Sequence, residues 1–432
     1  MQIGVNLSPP RPFGEQMFMN LMLQSGALQG GGVQVVAPDR RGLDYAVSIP
    51  PEFAGMVKQQ PWGLSIDPSV TAVPNMIYAR KSDIGLIKAG QVFRTQQLNI
   101  LRPMACIRFM DCMATNANQT PFYTASIGDT SYVHGMPVPV MAMLCNTVGA
   151  DAWINIPVRM SDADAKTLVV LFRELLDPGL NLYVEFSNEV WNATYWAMHY
   201  ANEQGNAKWP ADPTARKQPP NAGQRWYGMR CAQLSAAVAG PGIRFVMGTQ
   251  TMNPGLAKAV LLGFDEAGGV NANVYGWSFA AYVDGGIKGD KLVALSEAGD
   301  IPGAIDALMN DPVRGMPKMR TIYTQQAAIG ASRGWEPVVY EGNTSLIARG
   351  IADPAAKAKA IAFVKAVTED ERVAPVHEAN LAALKAAGVV LCNLFNTSGG
   401  PGEYGYWGLV PSLDHPEGNP AWQVARKWAL AA

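Results

Sequence analysis

The sequence predicts one (β/α)8 barrel over residues 1–432, with an inserted β-containing region, and three observations lead there. Eight β-prone runs alternate with stretches of helical periodicity, which implies a parallel sheet that closes on itself. In one run apolar Leu182, Val184 and Phe186 alternate with Tyr183, Glu185, Ser187 and Glu189. A barrel strand can aim such a polar face into the lumen and pack its apolar face on helices. Finally, a doubly wound open sheet requires a glycine-rich phosphate turn after an early strand. Gly30-Gly31-Gly32 follows a helical pattern instead and lacks the spacing.

Ile3 to Ser8 reads as the first strand, and Phe18, Leu21 and Met22 give helical spacing from Glu15 to Ser25. Residues 27–90 are broken by Gly and Pro into pieces, with short β segments at Val33 to Val36 and Met76 to Arg80. They are expected to be an insertion between the first helix and the second strand, forming a small β subdomain. Ala105 to Met113 reads as the second strand, carrying Arg108 and Asp111, and Pro137 to Thr147 as its helix. Trp153 to Met160 is the expected third strand, and Ser161-Asp-Ala-Asp164 then opens a helix striped by Leu168, Phe172, Leu175 and Leu176. After the fourth strand come a helix from Asn192 to Glu203, a polar loop to Gln224 and a helix to Ala239. The fifth and sixth strands are Arg244 to Gln250 and Asn273 to Tyr282, with Pro254 opening the helix between them. Ile305 to Ser332 is mostly helical, with a break at Pro312 to Pro317, and the seventh strand ends at Glu341. Asp353-Pro354 caps the next helix, Val389 to Phe395 is the eighth strand, and Ala421 to Leu430 is a final helix.

A net charge of −1 with 16% charged residues leaves no basic surface for nucleic acid. No apolar run is long enough to cross a bilayer, and Met1 to Ser8 has no signal-peptide character, so a soluble protein is expected. Its compartment is not written in the chain. Five cysteines, none in a CxxC pair, and four scattered histidines give neither a disulfide framework nor metal-ligand spacing. No metal or organic cofactor is expected. Eleven tryptophans and fourteen tyrosines suit stacking on sugar rings, and equally suit a large core.

Glu189 ends one strand and Glu341, followed by Gly342-Asn343, ends another. Such a pair can serve glycoside hydrolysis, one group protonating the leaving oxygen while the other attacks the anomeric carbon or activates water. Each could instead cap its strand and pair with a base. Asn188-Glu189 on strand four and Glu341 on strand seven resemble the large clan of retaining glycoside hydrolases on (β/α)8 barrels. The longer wording Glu185-Phe-Ser-Asn-Glu-Val-Trp-Asn192 with Tyr340-Glu-Gly342 is similar to a poorly characterised bacterial branch of it.

The resemblance implies Glu189 as acid/base with a raised pKa and Glu341 as an ionised nucleophile. Retention would place the two carboxyls about 5 to 5.5 Å apart. By the same resemblance Asn188 bonds a sugar 2-hydroxyl, Arg108 holds the nucleophile's carboxylate and Tyr282 hydrogen-bonds it. Asn188 could also be a turn former, and Arg108 could pair with Glu185 inside the lumen. Trp407, and after it Trp191, are candidate platforms for a sugar ring, though Trp191 lies close enough to a helix start to be simple packing. The third strand carries Asn155 and Arg159 where many members of the clan have a histidine. The implied partner is an oligo- or polysaccharide, extracellular in origin, cut within the chain. The rival expectation is a carbohydrate-binding or particle-associated structural protein that kept the barrel without turnover.

Overall fold

The computed structural model describes residues 1–7, 89, 91–123, 135–210, 221–413 and 419–431, and the backbone of four short strands between the first of these segments. The chain divides into two compact units, Met1–Ser8 with Gln96–Ala432, and Pro9–Thr95.

The larger unit is a closed barrel of eight parallel strands. These are β1 (Gln2–Asn6), β2 (Cys106–Arg108), β3 (Asp151–Ile156), β4 (Leu182–Phe186), β5 (Ile243–Gly248), β6 (Gly276–Val283), β7 (Glu336–Thr344) and β8 (Leu391–Leu394). Each strand pairs with its sequence neighbour, and β1 closes the ring against β8. The barrel expected from the alternation is the one found.

Helices connect the strands. In the order of the chain, α1 (Thr95–Leu101) precedes β2, and α2 (Val138–Val148) and α3 (Asp162–Leu175) follow β2 and β3. The pair α4 (Trp196–Lys208) and α5 (Ala222–Val238) follows β4, and α6 (Pro254–Glu266) follows β5. After β6 come α7 (Asp290–Ala298), α8 (Ile301–Asn310) and α9 (Met316–Ala331). After β7 come α10 (Pro354–Glu369) and α11 (Ala374–Ala386), and α12 (Pro420–Leu430) closes the chain. Their starts follow from sequence. Ser161 accepts a bond from the Asp164 N–H at the head of α3, and Asp353 does the same from Ala356 at the head of α10. Both occupy donors that a helix leaves unmet in its first turn.

Several expected bounds shift. β2 stops at Arg108 and the chain turns at once, so Cys112 is not in the strand with Cys106. β3 ends before Pro157, α4 starts at Trp196, and β7 runs three residues past Glu341. The helix expected over Glu15 to Ser25 meets a strand at Met22–Gln24, hydrogen-bonded antiparallel to Ala27–Gln29. The rest of that stretch lies outside the described residues, as does Met76 to Arg80. A second antiparallel pair joins Gln34–Val36 to Ala46–Ser48.

The lumen below the site is filled by side chains. Cys106, Trp153, Tyr183, Val246, Val338, Tyr340 and Leu391 form one buried cluster with Ala280. Trp153 stacks on Tyr183 with ring centres 5.3 Å apart, and Tyr275 meets Tyr183 edge-on. On the outer face, Phe186 of β4 packs on Trp226 and Tyr227 of α5. The period-two reading of β4 therefore separates lumen from helix layer correctly.

Two packing features carry predictions. A Cβ at Gly228 of α5 would lie 1.8 Å from the Val260 carbonyl oxygen of α6, so the helices touch backbone to backbone. Gly228→Ala gains about 1 kcal/mol in helix propensity but overpacks at a cost of ~1–3 kcal/mol. We expect net destabilisation and a lower urea midpoint. Second, His377 of α11 is buried with no partner for its Nε2 among the described residues, and burial lowers its pKa to about 4. Because the folded value is depressed, stability is whole above pH ~6.5 and falls as acid protonates the unfolded chain first. The loss by pH 4 is roughly 3 kcal/mol. Urea titrations from pH 7 to 4 should show this slope in the parent chain and lack it in His377→Gln.

Candidate active site

The carboxyl ends of β2, β4, β6 and β7 bring the site together around Arg108, which is fully buried. Its five N–H donors make five bonds. Nε and Nη2 both reach Glu185 Oε2, at 3.1 and 2.7 Å. Nη1 donates to Asn6 Oδ1 at 3.0 Å and Glu341 Oε2 at 3.3 Å, and Nη2 also donates to Asn188 Oδ1 at 2.8 Å. The guanidinium lies over the rings of Trp153 and Tyr340, 5.7 and 5.3 Å from their centres. Both contacts open from sequence are present: Arg108 bridges Glu185 and Glu341. Glu185 Oε2 also accepts from Trp153 Nε1 and Asn155 Nδ2, at 2.9 and 2.8 Å.

Glu341 is placed by an irregularity. β6 and β7 run in register to Phe279 and Val339, and then Ala280 pairs with Glu341, leaving Tyr340 as an extra residue. A strict alternation would send Tyr340 and Glu341 to opposite faces. The bulge turns both inward, as bulges beside active sites do. Tyr340 then donates its hydroxyl to Glu189 Oε1 at 3.2 Å, and Tyr282 donates to Glu341 Oε1 at 3.2 Å.

Glu189 is placed by a strained turn. Ser187 and Glu189 have φ of 58° and 41°, left-handed values unusual for residues with a Cβ. Asn192 holds the turn from behind, its N–H on the Glu189 carbonyl at 2.7 Å and its Nδ2 on Glu189 Oε2 at 2.8 Å. Asn188, between the two strained residues, bonds Arg108 and donates Nδ2 to Asn116 Oδ1 at 3.1 Å.

Burial, and then the charge of Glu189, lifts Glu341 well above the usual carboxylate range; burial lifts Glu189 too, against hydrogen bonds from Asn192 and Tyr340. The raised value expected for Glu189 alone thus extends to both, because neither is well solvated. Two such groups lose their protons in succession. Arg108 bonds Glu341 directly and opposes the rise in its pKa, and the arginine's charge also acts on Glu189. Nearby Asp111 is pushed up to about 6 by burial, against the pull of Arg108.

Trp407 packs against Tyr282 and Phe395, with ring centres 6.2 and 5.4 Å away, and its buried Nε1 has no partner among the described residues. Trp191 lies beside Glu189, its Nε1 likewise buried and unpartnered. Tyr340, Trp153 and Asn192 were not singled out from sequence. Asn192 stood three residues past Glu189 in a turn and was readable. Tyr340 was hidden by its bulge.

No protein-family model matches the chain, and no curated protein matches it. Among solved structures it is similar to a 4-O-α-L-rhamnosyl-β-D-glucuronidase from Fusarium oxysporum, at 13% identity over 76% of this chain and 61% of that one, with TM-score 0.41. It is also similar to a modular endo-β-1,4-mannanase of glycoside hydrolase family 26 from Cellulomonas fimi (12%, 76% and 63%, TM-score 0.35). A broad-specificity endoglucanase of family 5 from Clostridium acetobutylicum is a third (9%, 79% and 90%, TM-score 0.43). The chain spans about three fifths of the length of the first two. Among the described residues, no helix is long and apolar enough to cross a membrane.

Proposed function

We propose that the protein is a retaining glycoside hydrolase acting on an oligo- or polysaccharide by double displacement. The observation that carries this is the pairing of Glu189 and Glu341. They come from the ends of β4 and β7, each lifts with burial, and a tyrosine hydroxyl touches each. Catalytic groups of a (β/α)8 barrel sit at this end of the strands. Glu341, kept charged by Arg108, attacks the anomeric carbon as Glu189 gives its proton to the leaving oxygen. The resulting ester is hydrolysed when Glu189 takes a proton from water, whose oxygen bonds the anomeric carbon and frees Glu341. Asn188 is left to meet the sugar, and the aromatic wall of Trp407 to stack on it. The many loops and aromatic residues of the sequence favour a cleft that admits a chain, and so cutting within it.

The test is a panel of polysaccharides scored for new reducing ends, with the first anomer released identified by proton NMR. Retention of configuration is expected, and Glu189→Ala should slow hydrolysis by about 10²–10⁴-fold. Inverted product, or no reducing ends from any glycan, sinks the reading.

A further inference from the structure

Beside Glu189, next to the end of β5, lies a small recess lined by Glu185, Glu189, Trp191, Gln224, Tyr227 and Thr249. It offers about 10 Å³ for the centre of a water molecule, which is room for one water. Two of its lining groups, Trp191 Nε1 and Thr249 Oγ1, are buried without a hydrogen-bond partner among the described residues. Buried polar atoms are rarely left unpaired, and two from residues lining one recess beside a carboxyl call for a polar occupant. The side-chain amide of Gln224 is already taken by the Val190 carbonyl, at 3.1 Å, and the hydroxyl of Tyr227 accepts from the Gly248 N–H at 2.9 Å.

We infer that the recess is a binding site for one ordered water molecule, held by Trp191 and Thr249, that solvates the Glu189 carboxylate. The water accepts from the indole N–H, shares a hydrogen bond with the threonine hydroxyl and donates to Glu189. Those three partners are the usual number for a buried water. Thr249 and Trp191 are then positioning residues, acting on Glu189 through the water. The inference rests on the reading of Glu189 as the acid/base only for its use in catalysis; the site itself does not depend on turnover.

The groups facing Glu189 from its neighbours are Arg108, Glu185, Glu341, Tyr340, Tyr195 and Tyr282. All of them remain in a Thr249 variant, so a change in titration isolates the water. Taking away its support removes solvation from the charged form and must raise the pKa of Glu189.

The experiment is a carbon-13 NMR titration of glutamate-labelled protein, with the Glu189 carboxyl assigned by its loss in Glu189→Gln. Thr249→Val should raise the Glu189 pKa by about half a unit or more, a threefold change in its ionisation constant. Trp191→Phe should act in the same direction, and Thr249→Ser should titrate as the parent. A crystal structure at about 1.5 Å should show the water on Trp191 Nε1 and Thr249 Oγ1. If Thr249→Val fails to fold by thermal melt, Trp191→Phe decides. An empty recess, or a folded variant of either residue that titrates like the parent, overturns the site. The readout needs no substrate, so failure to find hydrolysis and failure of the water site are separate results.

Discussion

Glu341→Gln should abolish glycan hydrolysis, with a loss of about 10⁴-fold or more in kcat, while the protein stays folded and still binds the glycan. A nucleophile cannot be replaced by binding or by the acid/base, so its removal leaves only the small catalysis that positioning supplies. The amide keeps the size of the carboxyl, and its one oxygen can accept from Arg108 while its NH2 donates to the Tyr282 hydroxyl. It also removes a buried carboxylate that faces Glu189, so the melting temperature should hold or rise. Glu189 should in turn titrate lower, since one source of its electrostatic crowding is gone. Reducing-end assays beside affinity electrophoresis on the same glycan check this. Equal hydrolysis by variant and parent would exclude Glu341 as nucleophile, and equal loss of binding would recast it as a ligand contact.

Arg108→Met should cost ~3–5 kcal/mol of folding stability, the largest effect of any single change considered. Methionine fills the volume but leaves Glu185 buried without its cation, and Glu185 is 2% exposed. Trp153 and Asn155 still donate to Glu185, which limits the damage without supplying charge. The double variant Arg108→Met with Glu185→Met should recover much of the loss, because it removes both charges together. Urea denaturation of the two single variants and the double variant measures the coupling. Additive losses would show that Arg108 acts mainly through its cation–π contacts with Trp153 and Tyr340.

The barrel was legible because its lumen and its helix layer impose opposite demands on neighbouring residues. Leu182, Val184 and Phe186 could only be one face of a strand, and Glu185 and Glu189 the other. Helix starts were legible where a side chain caps the backbone, as at Ser161 and Asp353. What escaped depends on contacts far along the chain. The early end of β2 arises where the chain turns and Met113 bonds back to Phe109. The bulge at Tyr340 is a matter of register between two strands, which no single stretch of residues records. The pairing of Arg108 with Glu185 was open from sequence because choosing between two acceptors requires distances. The left-handed turn through Ser187 and Glu189 was invisible for the same reason that it is strained: local preference argues against it.

With every hydrogen of its guanidinium already committed, Arg108 has none to offer an incoming sugar. On the proposed reading, contact with sugar hydroxyls falls to neighbours that the arginine steadies, such as Asn188 through its second amide hydrogen. On the same reading, a change of sugar preference belongs at residues other than the arginine, which has to stay to hold both carboxylates.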